Sequence, residues 1–148
     1  MSGYDYRFAT VWRVQSSPER VSEILENPCE LPRWWPEVYL EVRRIETGVY
    51  SFLTKGWLPY RLLWYAKEFE SRHPYGFSVE AWGDLEGTGM WTFKPEGDWT
   101  VARFDWSVSA RKPLLRYLTP VLKPVFRANH RWAMRRGETA IKHELARK

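Results

Sequence analysis

A change of period along the chain constrains its fold more than any other feature. From Val38 to Ala110 the sequence reads as strand and turn, and beyond Pro113 it reads as helix. The segments Val38–Glu46, Val49–Trp57, Tyr60–Ser71, Phe77–Leu85, Thr88–Lys94 and Trp99–Ala110 are separated by short stretches of turn composition. These include Leu58-Pro59, His73-Pro74-Tyr75-Gly76, Glu86-Gly87 and Glu96-Gly97-Asp98. A parallel pair needs a long crossover, so connections this short imply an antiparallel meander. Trp99–Ala110 shows the alternation best. Ala102, Phe104, Trp106 and Val108 share one face, and Arg103, Asp105 and Ser107 share the other. A further strand lies at 5–15, where Tyr6, Phe8, Thr10, Trp12 and Val14 alternate with Arg7, Arg13 and Gln15.

Between the first strand and the meander, Ser17 can cap a helix that Pro18 and Glu19 begin, because proline suits the first helical position and an acid suits the positive helix end. Val21, Ile24 and Leu25 form its buried side, and it ends near Asn27-Pro28. Pro32 and Pro36 bracket Arg33-Trp34-Trp35 and limit a second helical piece to a turn or two. After Pro113, the interior prolines Pro120 and Pro124 predict an irregular start and then a helix over 121–146. Such a helix is roughly 39 Å long. Leu122, Phe126, Ala133 and Ala140 fall on one stripe, and Arg127, Arg131, Arg135, Glu138 and Lys142 fall opposite. A curved sheet of seven strands and one helix with an apolar stripe can bury each other. The expected fold is therefore an α+β helix-grip domain over residues 1–148: a seven-stranded antiparallel sheet wrapped around a long C-terminal helix, with two short helices after the first strand.

The composition agrees with a folded domain. Hydrophobic residues make up 44% and aromatic residues 17%, far from a disordered composition. A single cysteine, Cys29, excludes an internal disulfide and any multi-cysteine metal site. No leader-like apolar segment opens the sequence, and the longest apolar run is Leu62–Ala66, so a soluble cytoplasmic protein is expected. Charge is uneven: from Arg111 onward there are 11 basic and 2 acidic residues, against 12 basic and 16 acidic before it. The basic helix face either serves solubility or attracts an acidic lipid surface. Nucleic acid is not expected as a partner, because the arginines and the aromatic residues do not interleave on one surface.

Few residues suggest built-in chemistry. His130 and His143 are 13 positions apart, roughly 20 Å along a helix, and His73 lies in a turn. No metal site and no cofactor are expected. Cys29 has no nucleophile motif around it and reads as a small residue packed near a helix end. Gly87-x-Gly89 precedes a strand rather than a helix, which removes the phosphate-loop reading and leaves a glycine-rich hairpin or a close backbone approach. Glu80 and Asp84 fall on the wet face of their strand. No catalytic residue is assigned. The misfits are Asn129 within the apolar helix stripe and Arg136 beside it, since buried polar groups require partners. Ala133, Gly137 and Ala140 are small, which either brings the helix close to the sheet or leaves room for a ligand.

Several segments carry a family likeness: Ser17-Pro18-Glu19-Arg20-Val21 after the first strand, Leu31-Pro32-Arg33-Trp34-Trp35-Pro36 before the second, Gly87-Thr88-Gly89-Met90-Trp91 at the sixth, and Asn129-His130-Arg131-Trp132-Ala133-Met134-Arg135-Arg136-Gly137 on the last helix. In this order the chain resembles the START/Bet v 1-like superfamily (SRPBCC, polyketide cyclase/dehydrase and lipid transport) over nearly its whole length. The resemblance implies a cavity between sheet and helix that takes an apolar or amphipathic small molecule.

The leading expectation is a binder or carrier of a small hydrophobic molecule of lipid-, isoprenoid- or polyketide-like kind. Trp12, Phe104 and Trp106 are the expected apolar wall, Asn129 and Arg136 the polar contacts, and Ala133 the source of space. Arg136 favours a ligand with an oxygen-rich or acidic end. Two alternatives stand beside it. One is an aromatase/cyclase-type enzyme in which Asn129 and Arg136 polarise carbonyls. The other is a peripheral protein whose basic helix contacts acidic lipid. Oligomeric state is not legible in the sequence.

Overall fold

The alternating segments pair into one sheet. In the computed structural model, which describes residues 6–56, 61–111 and 113–147, its strands are β1 (Tyr6–Val14), β2 (Tyr39–Glu46), β3 (Val49–Lys55), β4 (Arg61–Ser71), β5 (Gly76–Gly83), β6 (Leu85–Glu96) and β7 (Trp99–Ala110). The side chains of residues 110, 113–116, 118–120 and 122 are outside the described set, as are the expected strand ends at Asp5, Trp57 and Tyr60 and the expected stripe residue Leu122. The strand order is β1-β7-β6-β5-β4-β3-β2, and every pair is antiparallel. The meander fills most of this order. β1 closes it by pairing with β7, Phe8 opposite Trp106 and Trp12 opposite Ala102. That register places the even-numbered residues of both strands on one face, the concave one that packs against the last helix.

Two short helical pieces cover one end. α1 (Pro18–Leu25) begins at Ser17, whose hydroxyl accepts a hydrogen bond from Arg20 N at 3.3 Å, and it buries Val21, Ser22 and Leu25. A 3₁₀ turn at Pro28–Glu30 leads into α2 (Leu31–Trp34). Cys29 lies exposed in that turn rather than packed against a helix end. The expected turn at Glu86-Gly87 is not one: both residues lie within β6, and the connection is Asp84, after Gly83 at the end of β5 with φ +108°. Gly87 serves a close approach instead, since a Cβ there would fall 1.9 Å from the Ser107 carbonyl oxygen of β7.

α3 (Pro113–Ala146) is one helix of 34 residues and does not break at Pro120 or Pro124. Each proline removes one backbone donor and crowds the turn before it, at a cost of about 3 kcal/mol. The packing of later turns offsets that cost: Phe126, Met134 and Ile141 are buried, while Pro124 lies on the exposed side. Among the described residues the buried positions are Phe126, Met134, Gly137 and Ile141, so the buried stripe is rotated from the expected Ala133–Ala140 line toward Met134 and Ile141. A bidentate ion pair ties α2 to the end of α3, with Arg33 Nη1 and Nη2 donating to the two Glu144 carboxylate oxygens at 2.9 and 2.6 Å. Around Ile141 the palm is solid: Trp12, Val14, Val21, Phe93 and Ile141 are at most 1% exposed. Toward Phe126 it opens.

Candidate functional site: an aromatic-walled cavity

The open half of the palm holds a cavity of about 350 Å³, within the range of roughly 300–1,000 Å³ usual for small-molecule sites. Strand alternation builds its walls. β3 contributes Tyr50, Phe52 and Thr54, β4 contributes Leu62, Trp64 and Ala66, and β7 contributes Phe104, Trp106 and Val108. The helix side consists of Phe126, Asn129, His130, Ala133 and Met134, at i, i+3, i+4, i+7 and i+8 on one face of α3.

The aromatic side chains form a closed circuit rather than a plug. Ring centroids run from Trp12 to Trp91 (5.0 Å), Phe104 (4.6 Å), Trp106 (5.5 Å), Trp64 (5.7 Å), Phe52 (4.5 Å), Tyr39 (6.1 Å), Trp35 (5.0 Å) and back to Trp12 (5.6 Å). Each separation lies in the range in which offset-stacked and edge-to-face pairs attract. Each ring is therefore held by two others, and the wall is rigid. Two contacts set its shape. Trp64 Nε1 donates to the buried Thr54 hydroxyl at 3.0 Å. Trp106 stands over Gly89, where a Cβ would meet its ring at 2.8 Å.

Of the expected site residues, Phe104, Trp106, Asn129 and Ala133 line the cavity. Trp12 does not; it is 1% exposed and closes the aromatic circuit from within the solid core. Arg136 does not either. It lies on the surface, 3.5 Å from Glu37 and 5.5 Å over the Trp132 ring, because the buried stripe is rotated away from it. The Asn129 amide packs against the backbone at the end of β3, where a Cβ at Gly56 would fall 2.3 Å from Oδ1.

His130 is the residue that sequence reasoning passed over. Its ring lies flat on Phe8, with centroids 4.0 Å apart and planes at 15°. Burial pushes its pKa down to about 4, so it is neutral at physiological pH. Its Nε2 is buried and has no hydrogen-bond partner among the described residues. The signal was its spacing, four residues after Phe126 and four before Met134, which puts it on the true buried stripe. Tyr39, also in the lining, is held neutral as burial pushes its phenol well above the usual range.

Among the described residues the charged ones in the lining are Glu26, Glu68 and Lys55. His73 Nδ1 lies 2.8 Å from Glu26 and 3.0 Å from the Ser22 hydroxyl, which also hydrogen-bonds Glu26. The bond to Glu26 raises the His73 pKa. Glu68 is held above its ordinary range by desolvation and by the neighbouring Glu26 carboxylate. The group is not a nucleophilic triad: Ser22 is fully buried, and serine and carboxylate meet the same imidazole nitrogen. Among the described residues no cluster of His, Cys, Asp and Glu could hold a metal ion, and no helix is long and apolar enough to cross a membrane.

No protein-family model matches the sequence, and no curated protein matches it either. Solved structures do. TTHA0849 from Thermus thermophilus superposes with a TM-score of 0.69 at 16% identity, covering 92% of this chain and 97% of that one. The Zhui aromatase/cyclase from Streptomyces sp. R1128 gives 0.70 at 12% identity, with coverages of 94% and 92%. A START superfamily protein from Mycobacterium smegmatis gives 0.67 at 13%, with coverages of 93% and 95%. Likeness at this identity speaks for architecture, and with the strand order, the long C-terminal helix and the cavity between them it shows that the chain has the helix-grip fold of START/Bet v 1-like proteins.

Proposed function

We propose that the protein binds or carries a small hydrophobic molecule, lipid-, isoprenoid- or polyketide-like, in the cavity between the sheet and α3. The observation that carries this reading is the aromatic circuit, which walls a space of about 350 Å³ without filling it. A cavity lined mainly by apolar groups with a few polar ones is the usual form of such a site. Native beside denaturing mass spectrometry of freshly purified protein tests for a retained molecule. A titration with the neutral apolar fluorophore N-phenyl-1-naphthylamine tests the cavity directly. Saturable binding in the wild type that is lost in a folded Ala133→Trp variant and kept in Arg136→Gln supports the reading. Binding that Ala133→Trp leaves untouched overturns it.

An aromatase/cyclase-type reaction is the second reading, favoured by neighbours that include an aromatase/cyclase. Of its two candidate polar groups, Asn129 lines the cavity and Arg136 does not. Turnover of a polyketide-like chain, abolished by Asn129→Leu, tests it. A weak contact with acidic membrane belongs to α3, where Tyr117 and Val121 are 84% and 77% exposed within the basic segment. Salt-sensitive binding to phosphatidylserine vesicles tests that contact.

A further inference from the structure

We propose that His130 Nε2 is the polar anchor of the cavity, and that the ligand it selects is a neutral aromatic molecule bearing a hydroxyl group. This rests on the binding reading above and deepens it. A buried imidazole nitrogen with no hydrogen-bond partner among the described residues is a destabilising arrangement. Two other polar groups of the lining are engaged: the Thr54 hydroxyl is taken by Trp64 Nε1, and the Asn129 amide is packed against Gly56. The buried indole N–H of Trp35 shares the condition of His130, and as a donor it too suits an oxygen atom. Nε2 of His130 is covered within the cavity wall, so a ligand that brings a polar atom to it removes the cost once the imidazole or its cover shifts.

The chemistry of that atom follows from its surroundings. Stacked on Phe8 and shielded from water, His130 is neutral, so Nε2 either accepts or donates according to the tautomer. A hydroxyl matches both cases, because it donates and accepts. A carboxylate only accepts, and its charge needs a cation. Among the described residues the lining holds two carboxylates, Glu26 and Glu68, and one ammonium, Lys55, while Arg136 is outside the cavity and beside Glu37. The described lining is therefore acidic on balance, which disfavours the acidic-ended ligand that Arg136 suggested. The aromatic half of the proposal comes from the wall: Phe8, Trp35, Trp64, Trp91, Phe104 and Trp106 offer ring faces and edges on every side.

Three probes of one size test this: naphthalene, 2-naphthol and 2-naphthoate, titrated calorimetrically at neutral pH into the wild type and His130→Leu. In the wild type, 2-naphthol should bind about tenfold more tightly than naphthalene and more tightly than 2-naphthoate. In His130→Leu the hydroxyl preference, read as the ratio of the 2-naphthol and naphthalene affinities, should fall below about twofold. A wild-type readout guards against a variant that fails to fold. With only three histidines in the chain, ¹⁵N spectra resolve His130, and its Nε2 resonance should move with 2-naphthol and stay with naphthalene. If naphthalene binds and the hydroxyl adds nothing, if 2-naphthoate binds best, or if the resonance responds alike to both probes, the anchor is wrong and the cavity reading survives. If no probe binds the wild type, both fall.

Discussion

The indole of Trp35 occupies the space that a side chain at Gly137 would need. A Cβ there would lie 2.3 Å from Trp35 Cζ2 and 2.7 Å from its neighbours in the ring. The small residues on α3 therefore divide between the two roles their sequence allowed. Gly137 lets a tryptophan sit against the helix, whereas Ala133, one turn earlier, borders open space. Gly137→Ala gains helix propensity of about 1 kcal/mol. It also forces Trp35 out of its place in the aromatic circuit, at about 1–3 kcal/mol. The expected net loss is about 1 kcal/mol by urea unfolding. In a Trp35→Leu background the same change should be neutral or stabilising; equal losses in both backgrounds would show that the ring is not what residue 137 meets.

The clamp between Arg33 and Glu144 should contribute modestly. Hydrogen bonding to Arg33 holds the Glu144 carboxyl below its ordinary range. With a depressed folded pKa, the pair's stabilisation is present above the usual carboxylate range and is lost as pH falls through the folded value. The Arg33 side chain is 41% exposed, so water screens the pair, and a double-mutant cycle of Arg33→Ala with Glu144→Gln should give a small favourable coupling at neutral pH. The coupling should vanish in strong acid; one that persists there would have to come from packing.

His130 makes stability depend on pH in a defined window. Its folded pKa, about 4, lies below its ordinary value of 6.5. As pH falls from 6.5 toward 4, the unfolded chain takes a proton that the folded protein resists. Stability thus drops through that window, by up to roughly 3 kcal/mol, and this contribution levels off below it. Above pH 6.5 the residue adds no slope. His130→Phe should flatten the decline relative to wild type in urea unfolding measured across the range. Parallel curves would place the imidazole in contact with water.

The basic face of α3 should be dispensable for folding. Arg127, Arg131 and Arg135 are exposed, and like charges one turn apart repel. Changing all three to Gln should alter unfolding free energy by less than about 1 kcal/mol. A loss above about 2 kcal/mol would mean that these side chains are buried or paired.

Much of the architecture was legible because strand alternation and short turns are local properties. Tyr6 through Val14 and Ala102 through Val108 point where their period says they must, and a meander of such strands leaves little choice but an antiparallel sheet. The proline rule misread α3, since it weighs the break locally while the contacts that hold the helix through Pro120 and Pro124 come from the sheet. Glycine was ambiguous for the same reason: Gly87 turns nothing, and its need for space is set by Ser107, twenty residues away on the next strand.

The site divides along the same line. Periodicity determined by itself that Phe104 and Trp106 face inward and that α3 presents Asn129 and Ala133 toward the sheet. Which neighbouring residues share that face depends on how the helix rotates about its axis when it docks. A shift of part of one residue's 100° exchanges Arg136 for His130 and Met134. That rotation is set by the fit of Trp35 against Gly137 and of Ile141 into the solid end of the palm, contacts between distant parts of the chain. The tertiary structure alone decided that seven of the circuit's eight rings line a cavity instead of filling it, because the outcome depends on how each ring tilts against two others.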